Sequence, residues 1–170
     1  MSKNFFIALK WTILKSRESF ILSALMLLFT SCGKDEIQLP DQILEGKING
    51  EAWSYSSANG YLVSSDFQYR IRFLSSEESV NDPCTLPSPS IEHIKAIFRP
   101  SEGSFFVSPQ VLDNNQVQVS FEISPSKNLI ASSGFMEIFA IDGQVVIGYL
   151  QAVLDDDNTV EGSFEIRLCN

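Results

Sequence analysis

The most regular feature of the chain is an alternation of apolar and polar positions. Over residues 67–74, Phe67, Tyr69, Ile71 and Phe73 alternate with Gln68, Arg70, Arg72 and Leu74. Val117, Val119, Phe121 and Ile123 repeat the pattern over 116–124, and Val160, Phe164, Ile166 and Leu168 repeat it over 159–168. Successive side chains of a strand leave on opposite sides, so a period of two marks a strand with one buried face. Further strands are predicted over 60–64, 103–108, 133–141 and 145–154, and a first one over 43–53 with Asn49-Gly50 as a turn or bulge inside it. Residues 91–98 are ambiguous, because Ile91, Ile94 and Phe98 suit one face of a helix. So short a segment, rich in β-branched side chains, is better read as a strand. Turn signals stand at Ser65-Asp66, at Asp142-Gly143 and at the acidic run 155–158, while the Ser- and Pro-rich stretch 75–90 reads as irregular.

Eight or more short strands with almost no helical period describe an all-β domain. No amphipathic helix is predicted that would cover an open sheet, so the strands must close on themselves or pair as two sheets. The expectation is one β-sandwich or barrel of antiparallel strands over residues 43–170.

The first 31 residues are different material. Lys3, Lys10, Lys15 and Arg17 make a basic region, and the apolar run 20–29 follows it, broken only by Ser23. Ten helical residues cover about 15 Å, roughly half a bilayer core, so this run is short for a span. Basic region, short apolar region and then small residues form the pattern of a secretory signal. The mostly apolar stretch 5–14 leaves open an uncleaved anchor that uses both segments.

The junction Leu28-Phe29-Thr30-Ser31-Cys32-Gly33 resembles the lipobox of bacterial lipoproteins, and Phe29 with Thr30-Ser31 resembles its looser form in the Bacteroidota. That resemblance implies a signal peptide over 1–31, cleavage before Cys32 and diacylglycerol on the Cys32 thiol. Residues 32–42 would be a tether, without sustained pattern and carrying Pro40. Lys34-Asp35-Glu36 resembles the export signal of surface lipoproteins in that phylum. The implied address is the outer membrane or cell surface, reached through the lipoprotein maturation machinery and held by the lipid anchor. The ending Val160-x-Gly162-x-Phe164-x-Ile166-x-Leu168-Cys169 also resembles small Bacteroidota lipoproteins, some of which are β-sandwiches or calycin-like barrels.

Composition narrows the partners. The chain has 12 Lys+Arg against 21 Asp+Glu, a formal charge of -9. Such a charge repels nucleic acid and anionic headgroups; calcium bridging or a cationic ligand would be compatible with it, but a simple solubility role is the preferred reading. If Cys32 is acylated, Cys84 and Cys169 are an even remainder in an oxidising compartment, which points to a disulfide. They stay free thiols unless the fold brings their Cα atoms within about 7 Å.

Motifs for catalysis are missing: there is no G-x-S-x-G, P-loop, H-E-x-x-H or paired C-x-x-C. The one histidine, His93, reads as a surface or edge-strand residue. Asp155-Asp156-Asp157-Asn158 is the densest oxygen cluster, but it lacks the glycine and terminal glutamate of an EF-hand and reads as a solvated hairpin end. No metal or cofactor is expected. Trp53 and Tyr55 lie two apart and share a face, which makes them candidates for stacking on a ligand or else part of the first strand's buried face. Tyr61 and Tyr149 are further candidates. The functional expectation is a non-enzymatic envelope lipoprotein that binds a glycan, peptide or partner protein. A structural envelope role and a carboxylate-dependent hydrolase are the alternatives.

Overall fold

The structure, a computed structural model, describes residues 41–75, 82–85, 92–110 and 113–169. The predicted signal peptide, Cys32 and Lys34-Asp35-Glu36 lie outside the described residues.

Among the described residues ten strands run in chain order: β1 Glu45–Ile48, β2 Glu51–Val63, β3 Gln68–Ser75, β4 His93–Phe98, β5 Gly103–Val107, β6 Gln116–Ser124, β7 Lys127–Ile130, β8 Ser133–Asp142, β9 Val145–Asp155 and β10 Asn158–Leu168. Neighbours follow the order β4-β3-β2-β1-β10-β9-β8-β5-β6-β7, and β6 pairs back onto β4. That last pairing closes the ring, so the domain is a barrel. Most pairs are antiparallel, as expected, but β2 meets β10 in parallel at Asn59 and Gly60, and β5 meets β6 in parallel at Phe106 and Val107. Both parallel contacts are short. They occur where β1 and β7 stop and a more distant strand takes over the vacated edge.

The β1–β2 connection shows how local chemistry sets the register. Asn49 and Gly50 both hold positive φ, 54° and 83°, which Asn and Gly tolerate and which a tight hairpin twisted like its strands requires. Asn49-Gly50 is therefore a true turn, and the predicted strand 43–53 is a hairpin. Its second arm does not end at Trp53. It continues through a bulge between Tyr55 and Ser57 and absorbs the separately predicted strand 60–64. Bulges in β2, β6 and β8 bend those strands, as closing a barrel demands.

The interior is filled by side chains. Leu44, Ile48, Ile71, Phe73, Ile94, Phe98, Val117, Val119, Phe121, Met136 and Leu150 are fully buried. Two aromatic runs cross this core edge to face, Tyr55–Phe73–Phe164 and Tyr69–Phe98–Phe105, with centroid distances of 5.0–6.0 Å. Each such ring contributes about 1.5–3 kcal/mol by burial, with a smaller increment for the edge-on geometry. Two expectations fail here. Phe67 is 63% exposed at φ 51°, because it belongs to the β2–β3 turn and not to the strand it precedes. Strand β7 carries no alternation and was not predicted; it pairs with β6 and packs Leu129 against the core.

Candidate functional site

Two places on the barrel wall gather groups able to hold a ligand, and they adjoin. The first is a recess of 340 Å³ where β1 peels away from β10, lined by Asp41, Gln42, Ile43, Tyr55, Ser56, Ser163, Phe164 and Glu165. Gly162 opens this place. It holds φ 142°, and a Cβ there would stand 2.5 Å from the carbonyl oxygen of Ile43, so only glycine lets the incoming chain cross so closely. Tyr55 closes the recess from inside. Its ring packs edge-on to Phe73 and its hydroxyl donates to the Glu165 carbonyl. Burial, and then the nearby Glu165 carboxylate, push the Tyr55 phenol up to about 12.

The second place is the outer face of β5, β8 and β9. Along β8 and β9, Met136, Ile138, Leu150 and Ala152 point into the core, so Phe135, Glu137, Tyr149 and Gln151 point outward. Registers set these side chains in rows across the wall. Phe106 is opposite Phe135, Phe135 opposite Gln151, Gln151 opposite Glu161, and Glu161 opposite Glu45. In the next row Ser104 faces Glu137, Glu137 faces Tyr149, and Tyr149 faces Ser163, which lines the recess. Phe106 is 64% and Phe135 37% exposed. Phe135 stacks on Tyr149 at 5.7 Å and 25°, and the Tyr149 hydroxyl donates to Glu161 Oε1. Desolvation, together with the hydrogen bond to Glu161 and its charge, pushes the Tyr149 phenol up to about 12.

This wall is where a second strand face would be expected to be polar. Instead it carries a strip of three rings bordered by Glu137, Gln151 and Glu161, and the strip runs into the recess through Ser163. Gly134 permits the close packing beneath it: a Cβ there would lie 2.0 Å from the Gln151 carbonyl oxygen.

The residues singled out from sequence fall differently. Trp53 is a correction. It is 6% exposed and packs in the core with Leu44 and Ile48, because strand parity turns it inward, so it offers no ring to a ligand. Tyr55 shares that inward face, as the spacing required, yet reaches the recess because β1 departs beside it. Tyr61 is half-buried with the Arg72 guanidinium 5.9 Å from its ring centroid. Tyr149 joins the outer strip. Phe106 and Phe135 were missed; the signal available was their place on the polar phase of two strands.

Cys84 and Cys169 form a disulfide with Cα atoms 5.6 Å apart. Cys84 sits in a 3-10 turn, Pro83–Thr85, that packs on β2, and the Cys169 amide donates to the Gly60 carbonyl. The acidic run is consumed by its own turn. Asp155 Oδ1 accepts from the Asp157 amide and from Asn158 Nδ2, while buried Asn158 accepts from the Asn49 amide through Oδ1. Among the described residues no three His, Cys, Asp or Glu side chains gather as a metal site. His93 lies half-buried on β4, opposite Glu122 of β6. No protein family, curated protein or solved structure matches the chain.

Proposed function

We propose that this protein is a lipid-anchored envelope or surface lipoprotein whose barrel is a non-enzymatic binding module working through its outer wall. The anchor rests on the basic-then-apolar leader, the lipobox-like junction before Cys32 and the Lys34-Asp35-Glu36 segment after it. The binding role rests on one observation: the strip Phe106, Phe135 and Tyr149 lies on the solvent side of strands whose other side already fills the core. Exposed rings in contiguous register are a cost to a solitary domain, and a ligand that covers them removes it. The candidate occupants are a glycan, a peptide or a partner protein. Asp41 and Glu165 at the recess are both exposed, so neither is the desolvated acid that a carboxylate hydrolase would use.

Intact mass of membrane-extracted protein tests the anchor. The expected mass is that of residues 32–170 plus acyl groups and minus the two hydrogen atoms lost when the disulfide forms, and Cys32→Ser should leave the precursor unacylated. An unacylated wild-type product overturns the lipoprotein reading. Panels of soluble glycans and peptides, screened against the wild-type domain and a Phe106→Ala/Phe135→Ala variant, test the wall. Ligands retained equally by both proteins would overturn the binding role assigned to it.

A further inference from the structure

The charges around the strip define the ligand more narrowly. Glu137 lies directly across from Tyr149, and Glu161 and Glu45 lie directly across from each other on β10 and β1. Glu165 follows farther along the same face of β10. Like charges in directly opposed positions destabilise a sheet. Neither the Arg70–Asp66 nor the Lys95–Glu122 ion pair reaches this wall. Its own basic residues stand at its two ends, Lys47 opposite Thr159 and Arg167 opposite Val145. Among the described residues, the centre of the wall therefore combines ring faces with carboxylates that no Lys or Arg pairs with.

We propose that this wall binds a cationic peptide segment, with arginine or lysine side chains over Phe106 and Phe135 and their charges paired to Glu137 and Glu161. The inference rests on the outer-wall reading above and names its ligand chemistry. A planar guanidinium suits both halves of the surface, since it stacks on an aromatic face and forks its donors onto carboxylates. The Tyr149 hydroxyl, by donating to Glu161, holds that carboxylate beside the strip and leaves its second oxygen to accept. Gln151, which faces Phe135 in register, offers an amide oxygen to the peptide's remaining donors. A formal charge of -9 on the chain attracts a cation to the protein and repels an anionic polysaccharide.

The test uses the whole domain and two probes, a fluorescein-labelled Arg-Gly repeat peptide and a neutral gluco-oligosaccharide. Phe106→Ala/Phe135→Ala should weaken peptide binding by about tenfold or more, the equivalent of two exposed cation–π contacts. Glu137→Gln/Glu161→Gln should weaken it comparably and flatten its dependence on salt. Glu51→Gln/Asp156→Asn removes the same charge away from the wall and should change affinity less than about twofold. All variants are expected to keep the circular dichroism of the wild type. Peptide binding that falls equally with either pair of charge changes and ignores the aromatic pair would mean diffuse attraction to an acidic protein, and the proposal fails. Salt-independent binding of the neutral oligosaccharide, lost in the aromatic variant, would keep the wall as a binding face and overturn its cationic ligand. No difference between wild type and aromatic variant with either probe would overturn both.

Discussion

The barrel has two outer walls that should be equivalent by strand parity and are not. On β2 and β3, Ser57, Asn59 and Leu74 occupy outward positions opposite the core residues Ala58, Gly60, Ile71 and Phe73. Leu74 is nonetheless fully buried and Asn59 is 4% exposed, and the turn bearing Cys84 packs on β2 and is tied by its disulfide to the end of β10. On β5, β8 and β9, the outward Phe106, Phe135 and Tyr149 have no such cover among the described residues. The same alternation thus leaves Leu74 buried on one side and an aromatic strip uncovered by the described residues on the other. An outward apolar residue says only that something is to cover it. On β2–β3 the chain supplies the cover, and on β8–β9 the described residues supply none.

If the disulfide secures the covered wall, removing it should have the largest effect. The bond closes a loop across a sequence separation of 85, and the entropic account gives it about 4.5 kcal/mol. Cys84→Ser/Cys169→Ser should lower the denaturant midpoint accordingly and raise amide exchange first around Asn59 and Gly60. Loss confined to the far wall would break the comparison.

Truncation of one outward residue on each wall sharpens it. Leu74→Ala should cost about 2–4 kcal/mol, as for a buried leucine, while Phe135→Ala, which loses a partly exposed ring stacked on Tyr149, should cost about 1 kcal/mol. Equal losses in urea unfolding would mean that Phe135 contributes as much to the fold as Leu74 does.

At alkaline pH the recess should report its own burial. A tyrosine whose folded pKa is raised keeps its proton after the unfolded chain has lost it, so stability is complete below pH 10 and drains away as pH rises toward about 12. Tyr55→Phe should remove one late-titrating phenol from the ultraviolet titration and flatten the fall in stability over that window. A Tyr55 that ionises at pH 10 would open the recess to solvent.

The smallest effect is expected at Tyr149→Phe. Its hydroxyl bonds a carboxylate on the surface, so the stability change should be about 0.5 kcal/mol or less. Its value lies in the same titration, where a second late phenol should disappear.

Strand positions were legible because their cause is local. The ending from Val160 to Leu168 reads as alternating, and the structure buries Val160, Phe164, Ile166 and Leu168 and spends Gly162 on the crossing of β1. The aspartates of 155–158 likewise read as a hairpin end. Trp53 and Tyr55 were legible as a pair on one face, but their separate fates were not. Which of them meets solvent depends on where β1 leaves the ring, and that is set by pairings to residues more than a hundred positions away.

The sequence by itself determined the strand class of the domain, the phase of most strands, a turn or bulge at Asn49-Gly50 and an acidic balance of charge. These follow from the two-residue period of a strand, the sterics of φ and the sum of charges, none of which needs a long-range contact. Only the tertiary structure decided that the strands close as a barrel, that Cys84 meets Cys169, and that Phe106, Phe135 and Tyr149 lie on one outer face left uncovered by the described residues. Alternation assigns a residue to one of two faces, but whether a face is covered depends on the path of chain segments remote in sequence. Burial is a property of neighbours, and the neighbours here come from β5, β8, β9 and β10 through registers that no local pattern encodes.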